Sequence, residues 1–188
     1  MTVILYRLSQ FYGMITIIVV ASVLYDDDVM YMVFISAPQH PGNILLLKDG
    51  RLGLIDYGQV KCLEEKDRIL YAKFILALQK DDREEIVRLY NKEMGIRTKD
   101  NLSEVLYRHA VFYHDRDTDD ITQGLNMHLF LEKLESDDPV RHISEEYVMV
   151  GRVNFLIRGV SKAFGLELKM SHLWKAQAEE YLKSKKEL

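Results

Sequence analysis

The chain has 188 residues, of which 48% are hydrophobic and 29% are charged, and its formal net charge is −4. This composition fits a globular domain that buries a substantial core. The negative charge and the lack of a basic stripe exclude an ordinary nucleic-acid-binding domain. Cys62 is the single cysteine, so an internal disulfide is excluded and a reducing compartment is compatible with the sequence.

The first 36 residues form an apolar segment for which the sequence leaves three interpretations open. Leu8–Tyr25 carries no charged residue, and because a spanning helix needs about 20 predominantly apolar residues, this stretch is a marginal candidate for a membrane anchor. The abrupt change of composition near Ser36 would also follow from a truncated or mis-assigned start. A buried N-terminal element is the third interpretation. We predict a boundary here, with residues 1–36 set apart from a domain over 37–188.

Residues 44–55 predict a β-hairpin. Two apolar runs, Ile44–Leu47 and Leu52–Ile55, flank Asp49-Gly50, a dipeptide that readily takes the positive φ angles of a two-residue turn. Such a hairpin brings Asn43 near Asp56, and amide and carboxylate oxygens are ligands that suit Mg²⁺. The sequence therefore predicts a magnesium site formed by Asn43 and Asp56. An ordinary surface hairpin with an aspartate at its end is the alternative.

The motifs around these two ligands resemble those of the UbiB-like, aarF-domain-containing atypical kinases. That family has a catalytic loop reading A-D-P-H-P-G-N and a metal motif reading I-D-F/Y-G; the corresponding stretches here are APQHPGN, residues 37–43, and IDYG, residues 55–58. Within them, His40, Gly42 and Gly58 are expected to shape the loops, since glycine admits backbone conformations that other residues resist. Val150–Leu166 is similar, less specifically, to the C-terminal helix of the family with its L-x-R-G-like signature.

The resemblance implies the C-terminal lobe of a protein-kinase-like fold that uses Mg²⁺ and ATP. Asn43 and Asp56 would then correspond to the two metal-binding residues of kinases. Val33–Ile35 would be a short strand leading into the catalytic loop. The family resemblance further implies a mitochondrial location, or a plastid one in plants, and a role in ubiquinone or other prenyl-lipid metabolism. A membrane or lipid surface, or a partner protein, is the expected partner.

The chain departs from the family at the catalytic position. Pro38 stands where the family has its catalytic aspartate, and proline has neither a side-chain base nor a backbone N–H. The Lys-x-Gly-Gln motif, the nucleotide-binding lysine and its acidic partner of the N-terminal lobe have no counterpart here. We therefore expect a C-terminal lobe without its N-terminal lobe, catalytically impaired. A non-catalytic pseudokinase remnant and a lobe resembling small-molecule phosphotransferases are the alternatives, and the two motifs favour the UbiB-like family over the latter.

Downstream of residue 63 the sequence predicts helices, and the expected fold class is α+β, mostly α, with the short hairpin and a helical bundle. Apolar residues recur at helical spacing over six stretches: 64–79, 82–94, 101–112, 125–134, 145–164 and 171–185. Gly95 is expected to end the second helix, and Asp115–Asp120 to form a solvated charged loop. Arg152 and Arg158 are expected to reach solvent or loop carboxylates. The five histidines beyond His40 are expected to be structural or surface residues.

Overall fold

The computed structural model describes the backbone of five short strands and, beyond them, residues 63–163 and 165–187. The strands are β1 (Ser22–Leu24), β2 (Met30–Ile35), β3 (Ile44–Leu46), β4 (Leu52–Leu54) and β5 (Val60–Cys62). The helices are α1 (Glu65–Lys80), α2 (Arg83–Arg88), α3 (Ser103–His114), α4 (Asp119–Thr122), α5 (Met127–Asp137), α6 (Glu145–Ala163) and α7 (Met170–Ser184). A small antiparallel pair, β6 (Arg97–Thr98) and β7 (Val140–His142), lies between helices.

The predicted fold class is confirmed: the chain is α+β and mostly α, as expected of a partial kinase-like lobe. β1, β2 and β5 form one antiparallel sheet in that order, and β3 and β4 form a hairpin. β2 extends the predicted strand Val33–Ile35 back to Met30. β1 contains residues from the end of the apolar stretch Leu8–Tyr25. In the part of the chain that the structure describes, no helix is long and apolar enough to cross a membrane.

The predicted hairpin is present, but its register is one residue away from the expected one. Leu46 pairs with Leu52, and Ile44 pairs with Leu54. A two-residue turn at Asp49-Gly50 would instead pair Leu46 with Gly53, so that part of the prediction is wrong. An odd number of residues between paired positions fits three- and five-residue hairpin connections. The apolar pattern of the two runs could not distinguish a two-residue turn from a longer connection, because the two runs face each other in either case.

The sheet of β1, β2 and β5 crosses the predicted boundary at residue 36. β2 lies before that position and β5 after it, and the two strands pair antiparallel from Val33–Cys62 to Ile35–Val60. The strands therefore join the N-terminal segment to the rest of the domain through backbone hydrogen bonds.

The core lies between the helices and contains several aromatic rings. α1 packs along α7, and α3 packs against α6. The rings of Phe74 in α1 and Tyr90 are stacked with centroids 5.7 Å apart, and those of Phe112 in α3 and Phe130 in α5 are 4.8 Å apart. These four side chains are at most 1% exposed. Burial of such large apolar surfaces is the main favourable term that holds the helices together.

The predicted helices are present, with ends displaced by at most three residues. The second one differs in kind: α2 begins after Asp82, whose carboxylate accepts a hydrogen bond from the N–H of Glu85, and continues as a π-helical turn over Leu89–Glu93. The expected end at Gly95 is confirmed, since this residue has φ +77°. In a π-helical turn the backbone hydrogen bonds span five residues instead of four. The spacing of apolar residues in the sequence did not indicate this change.

Candidate metal and nucleotide site

The residues predicted to form the site lie outside the described residues. They are Asn43 and Asp56, the loop-shaping residues His40, Gly42 and Gly58, and Pro38 at the expected catalytic position. The structure does describe the strands that border the two motif segments on both sides. Their pairing supports the idea that the two segments are neighbours.

The two motif segments connect the same two pairs of facing strand residues. Ile35 faces Val60 at the end of the β2–β5 ladder, and Ile44 faces Leu54 at the end of the β3–β4 ladder. The first segment, residues 36–43, runs from Ile35 to Ile44, and the second, residues 55–59, runs from Leu54 to Val60. We call these two facing pairs the motif frame. Facing residues in an antiparallel ladder have Cα atoms about 4.5–5.5 Å apart. The strand residue that precedes each segment therefore lies close to the strand residue that follows the other segment.

Two helices adjoin the motif frame. β5 leads into α1 through Leu63, which is 3% exposed and belongs to the core. α6 lies alongside β2. The frame is therefore attached to the bundle covalently at one strand and by packing at the other.

Inside the bundle, a buried polar cluster joins α1, α3 and α6. The Asn154 side-chain amide donates hydrogen bonds to the Tyr71 hydroxyl at 2.9 Å and to the His114 carbonyl at 3.2 Å. The Tyr71 oxygen lies 3.4 Å from Nδ1 of His114. All three residues are at most 2% exposed. Burial raises the pKa of Tyr71, so the hydroxyl keeps its proton and the cluster is uncharged at neutral pH.

The second buried histidine bonds to an aromatic residue of the core. Nδ1 of His109 lies 2.7 Å from the Tyr90 hydroxyl. Burial lowers the pKa of His109 to about 4. Burial, together with His109 and Arg158, lowers the pKa of His114 to about 3. Both imidazoles are therefore neutral at physiological pH, and the prediction that they are structural residues fits their place in the core.

Three side chains at four-residue spacing on α6 contact the C-terminal end of α3. Asn154 donates to the His114 carbonyl, Arg158 donates to the Phe112 carbonyl at 2.5 Å, and Lys162 donates to the Asp117 carboxylate at 2.7 Å. The carbonyls at a helix C-terminus have no intrahelical partner. Arg158 is 3% exposed, so the expectation that it reaches solvent or a loop carboxylate is wrong; Arg152 is exposed as expected. We call these three residues the α6 stripe.

The charged stretch Asp115–Asp120 is only in part the solvated loop expected from its composition, since Asp119 and Asp120 are exposed but the first two residues are buried. Asp115 is 0% and Arg116 4% exposed, and the Asp115 carboxylate accepts from Arg116 at 3.0 Å and from the N–H of Ser171 at 2.8 Å. Arg116 also donates hydrogen bonds to the carboxylates of Asp81 and Asp120, which are both exposed. Opposite charges and the N-terminus of α7 compensate for burial here. Asp81 and Ser171 are far from this stretch in the sequence, so the sequence alone did not indicate that Asp115 and Arg116 are buried.

Elsewhere in the described residues no group of three or more His, Cys, Asp or Glu side chains could hold a metal ion. An open groove of about 650 Å³ runs along the outer face of α1. Ile69 and Leu70 line it together with charged residues. These charged residues are already engaged: Lys73 pairs with Glu187 at 2.7 Å, and Asp67 accepts from the Tyr147 hydroxyl at 3.1 Å. Because these charges are compensated, the groove shows no preference for an anion or a cation.

Comparisons with known proteins agree with the resemblance seen in the motifs. Residues 14–90 match the model of the ABC1 atypical kinase-like domain, a range that includes both motif segments and begins within the segment 1–36. The chain is 23% identical over 170 residues to AarF domain-containing kinase 1 of Drosophila melanogaster, which covers 80% of this chain and 31% of that protein. It is 49% identical over 45 residues to an uncharacterized protein of Synechocystis sp., covering 24% of this chain and 11% of that protein.

No solved structure matches this chain. The chain spans less than a third of the length of either of these relatives. The family model and the fruit-fly kinase nevertheless point to the same family as the motifs A-P-Q-H-P-G-N and I-D-Y-G. Over residues 14–90, this chain therefore resembles the ABC1 atypical kinase-like domain, and the predicted resemblance to the UbiB-like, aarF-domain kinases is confirmed over that range.

Proposed function

We propose that this chain carries the Mg²⁺- and ATP-binding motifs of an ABC1 atypical kinase-like domain, with Asn43 and Asp56 as metal ligands. The observation that supports this best is the motif frame, because both segments connect the same two facing pairs, Ile35–Val60 and Ile44–Leu54. The donor chemistry fits, since an amide and a carboxylate oxygen suit Mg²⁺, which also relies on nucleotide phosphates. Asn43 and Asp56 would hold the metal, which would supply positive charge to offset that of the nucleotide phosphates.

Binding of nucleotide tests this proposal directly. Calorimetric titration of the full chain with ADP, with and without Mg²⁺, should show Mg²⁺-dependent binding, and Asp56→Asn should weaken it by about tenfold or more because a charged ligand is lost. Asp137→Asn is the matched control, since Asp137 is exposed on α5 and pairs with Lys133. Equal binding by wild type and Asp56→Asn would contradict the assignment of the ligand.

We also propose that the chain is catalytically impaired, because Pro38 cannot orient or deprotonate an acceptor hydroxyl. A positioned base contributes about 10²- to 10⁴-fold to a rate. In an assay of ATP hydrolysis, Pro38→Asp should therefore raise the rate by at least about tenfold, whereas Pro38→Ala should not. If both variants stay at the rate of the wild type, the missing aspartate is not what limits activity.

A non-catalytic role is the second proposal, and Pro38 is the observation that favours it. In that case the chain binds a partner protein or a lipid surface, and the titration above shows no Mg²⁺-dependent binding of nucleotide. Co-sedimentation with vesicles of phosphatidylcholine and cardiolipin tests the lipid alternative. By family resemblance we further propose a mitochondrial or plastid location and a role in ubiquinone or other prenyl-lipid metabolism, which localisation of the tagged chain in cells would test.

A further inference from the structure

Arg158 is a buried cation with few compensating contacts. It is 3% exposed, and its hydrogen bond from Nη2 to the Phe112 carbonyl leaves Nε and Nη1 buried without a hydrogen-bond partner. Its guanidinium carbon lies 5.8 Å and 5.5 Å from the ring centres of Phe112 and Phe155. Burial lowers its pKa. A guanidinium so placed opposes folding more than a well-packed apolar side chain would.

What Arg158 does provide is a directional contact. It is the middle residue of the α6 stripe, between Asn154 and Lys162, and each of the three binds a specific oxygen at or just beyond the C-terminal end of α3. Apolar side chains can slide along one another by a fraction of a turn at little cost, but a buried hydrogen bond to one carbonyl can form in only one register. In some proteins, such as coiled coils with one buried asparagine, a buried polar group selects the register at the expense of stability.

The register of α6 matters for the predicted site because this helix also contacts β2. α6 lies alongside β2, and β2 ends at Ile35, one of the residues of the motif frame. A shift of α6 relative to α3 therefore displaces the surface on which β2 rests.

We propose that Arg158 is a positioning residue that fixes α6 against the end of α3 and so holds β2 and the motif frame in place, at the expense of stability. The functional importance of that frame rests on the proposed function, but the positioning itself does not. Its effect on the motif frame is transmitted through α6 and β2.

Hydrogen–deuterium exchange of the full chain, read by mass spectrometry, tests the proposal together with thermal unfolding. Arg158→Met should speed exchange in peptides covering residues 30–35 and 103–117, while Tm stays unchanged or rises by several degrees. Arg158→Lys keeps one donor for the Phe112 carbonyl and should restore much of the protection. Arg152→Met is the matched control, since Arg152 is exposed on the same helix, and it should leave exchange in both regions unchanged.

Two results would overturn the proposal. One is unchanged exchange in residues 30–35 of Arg158→Met, which would mean that α6 does not position β2. The other is a fall in Tm of more than about 4 °C, roughly 1 kcal/mol or more for a chain of this size, which would make Arg158 an ordinary stabilising residue. Failure of the wild type to bind ADP with Mg²⁺ would refute the proposed function and leave both of these readouts interpretable.

Discussion

Acid should destabilise this domain well above the pH at which its carboxylates titrate, because His109 and His114 are buried in their neutral form. Their pKa values in the folded chain are about 4 and about 3, below the value of about 6.5 for an exposed histidine. The unfolded chain therefore binds two protons near pH 6.5 that the folded chain does not. Stability should fall as the pH decreases below about 6.5 and should continue to fall until the folded-state pKa values are reached.

The size of the effect follows from these pKa values. At pH 5, protonation lowers the free energy of an unfolded histidine with a pKa of 6.5 by about 2 kcal/mol and leaves that of the two folded ones almost unchanged. His109 and His114 together should therefore lower the free energy of unfolding by about 4 kcal/mol between pH 7.5 and pH 5. That is a large fraction of the roughly 5–15 kcal/mol typical of a domain.

Urea unfolding followed by the fluorescence of the single tryptophan, Trp174, measures this free energy at each pH. In His114→Phe the loss between pH 7.5 and pH 5 should be smaller than in the wild type by about 2 kcal/mol. His128→Gln is the control: this side chain is 81% exposed, and its removal should leave the pH dependence unchanged. If His114→Phe shows the same loss as the wild type, the histidine is not buried in its neutral form and the reasoning fails.

Three further changes test individual contacts by the same unfolding assay. Asp138→Ala should lower the free energy of unfolding by about 3 kcal/mol, because this carboxylate, 1% exposed, accepts from Thr98 and from two backbone N–H groups; the exposed neighbour Asp137→Ala should change it by less than about 0.5 kcal/mol. Gly95→Ala should cost about 1–2 kcal/mol, since φ is +77° there although the space is open; an unchanged free energy of unfolding would contradict that strain. Lys73→Ala should have an effect below about 1 kcal/mol, because its ion pair with Glu187 is partly exposed, and a larger loss would show that the pair holds the C-terminus to α1.

The sequence allowed the long helices and the hairpin to be predicted because their signals are local. α1 was expected over 64–79 and lies at Glu65–Lys80, since Phe74 and Leu78 recur at helical spacing on a buried face. The hairpin followed from two apolar runs around Asp49-Gly50. Its exact register did not, since turn length is decided by backbone conformations that several sequences share.

Features that depend on distant partners could not be predicted. β1 and β5 have three residues each, too few for a periodic pattern, and β5 pairs with β2 across the long stretch of chain between Ile35 and Val60. The burial of Arg158 and Asp115 depends on carbonyl and N–H groups 46 and 56 residues away. A polar stripe at four-residue spacing within an otherwise apolar helix was the one available signal for Arg158.

For the predicted site itself, the sequence supplied more than the structure does. The motifs indicated a resemblance to this family, and the comparison over residues 14–90 agrees with it. The structure contributes the pairing of the strands on either side of both motif segments. The assignment of Asn43 and Asp56 as metal ligands stays a prediction.

The motif frame has a consequence for the order in which the domain folds. The hairpin of β3 and β4 involves only neighbouring residues, so it can form within microseconds, before the chain collapses. The β2–β5 ladder must close a larger loop, from Ile35 to Val60. Once the hairpin has formed, only segments 36–43 and 55–59 of that loop are left to be ordered. This lowers the entropic cost of closing the loop by about 0.5 kcal/mol. The same closing event then constrains both motif segments at once, so that their relative position is acquired in one late step of folding.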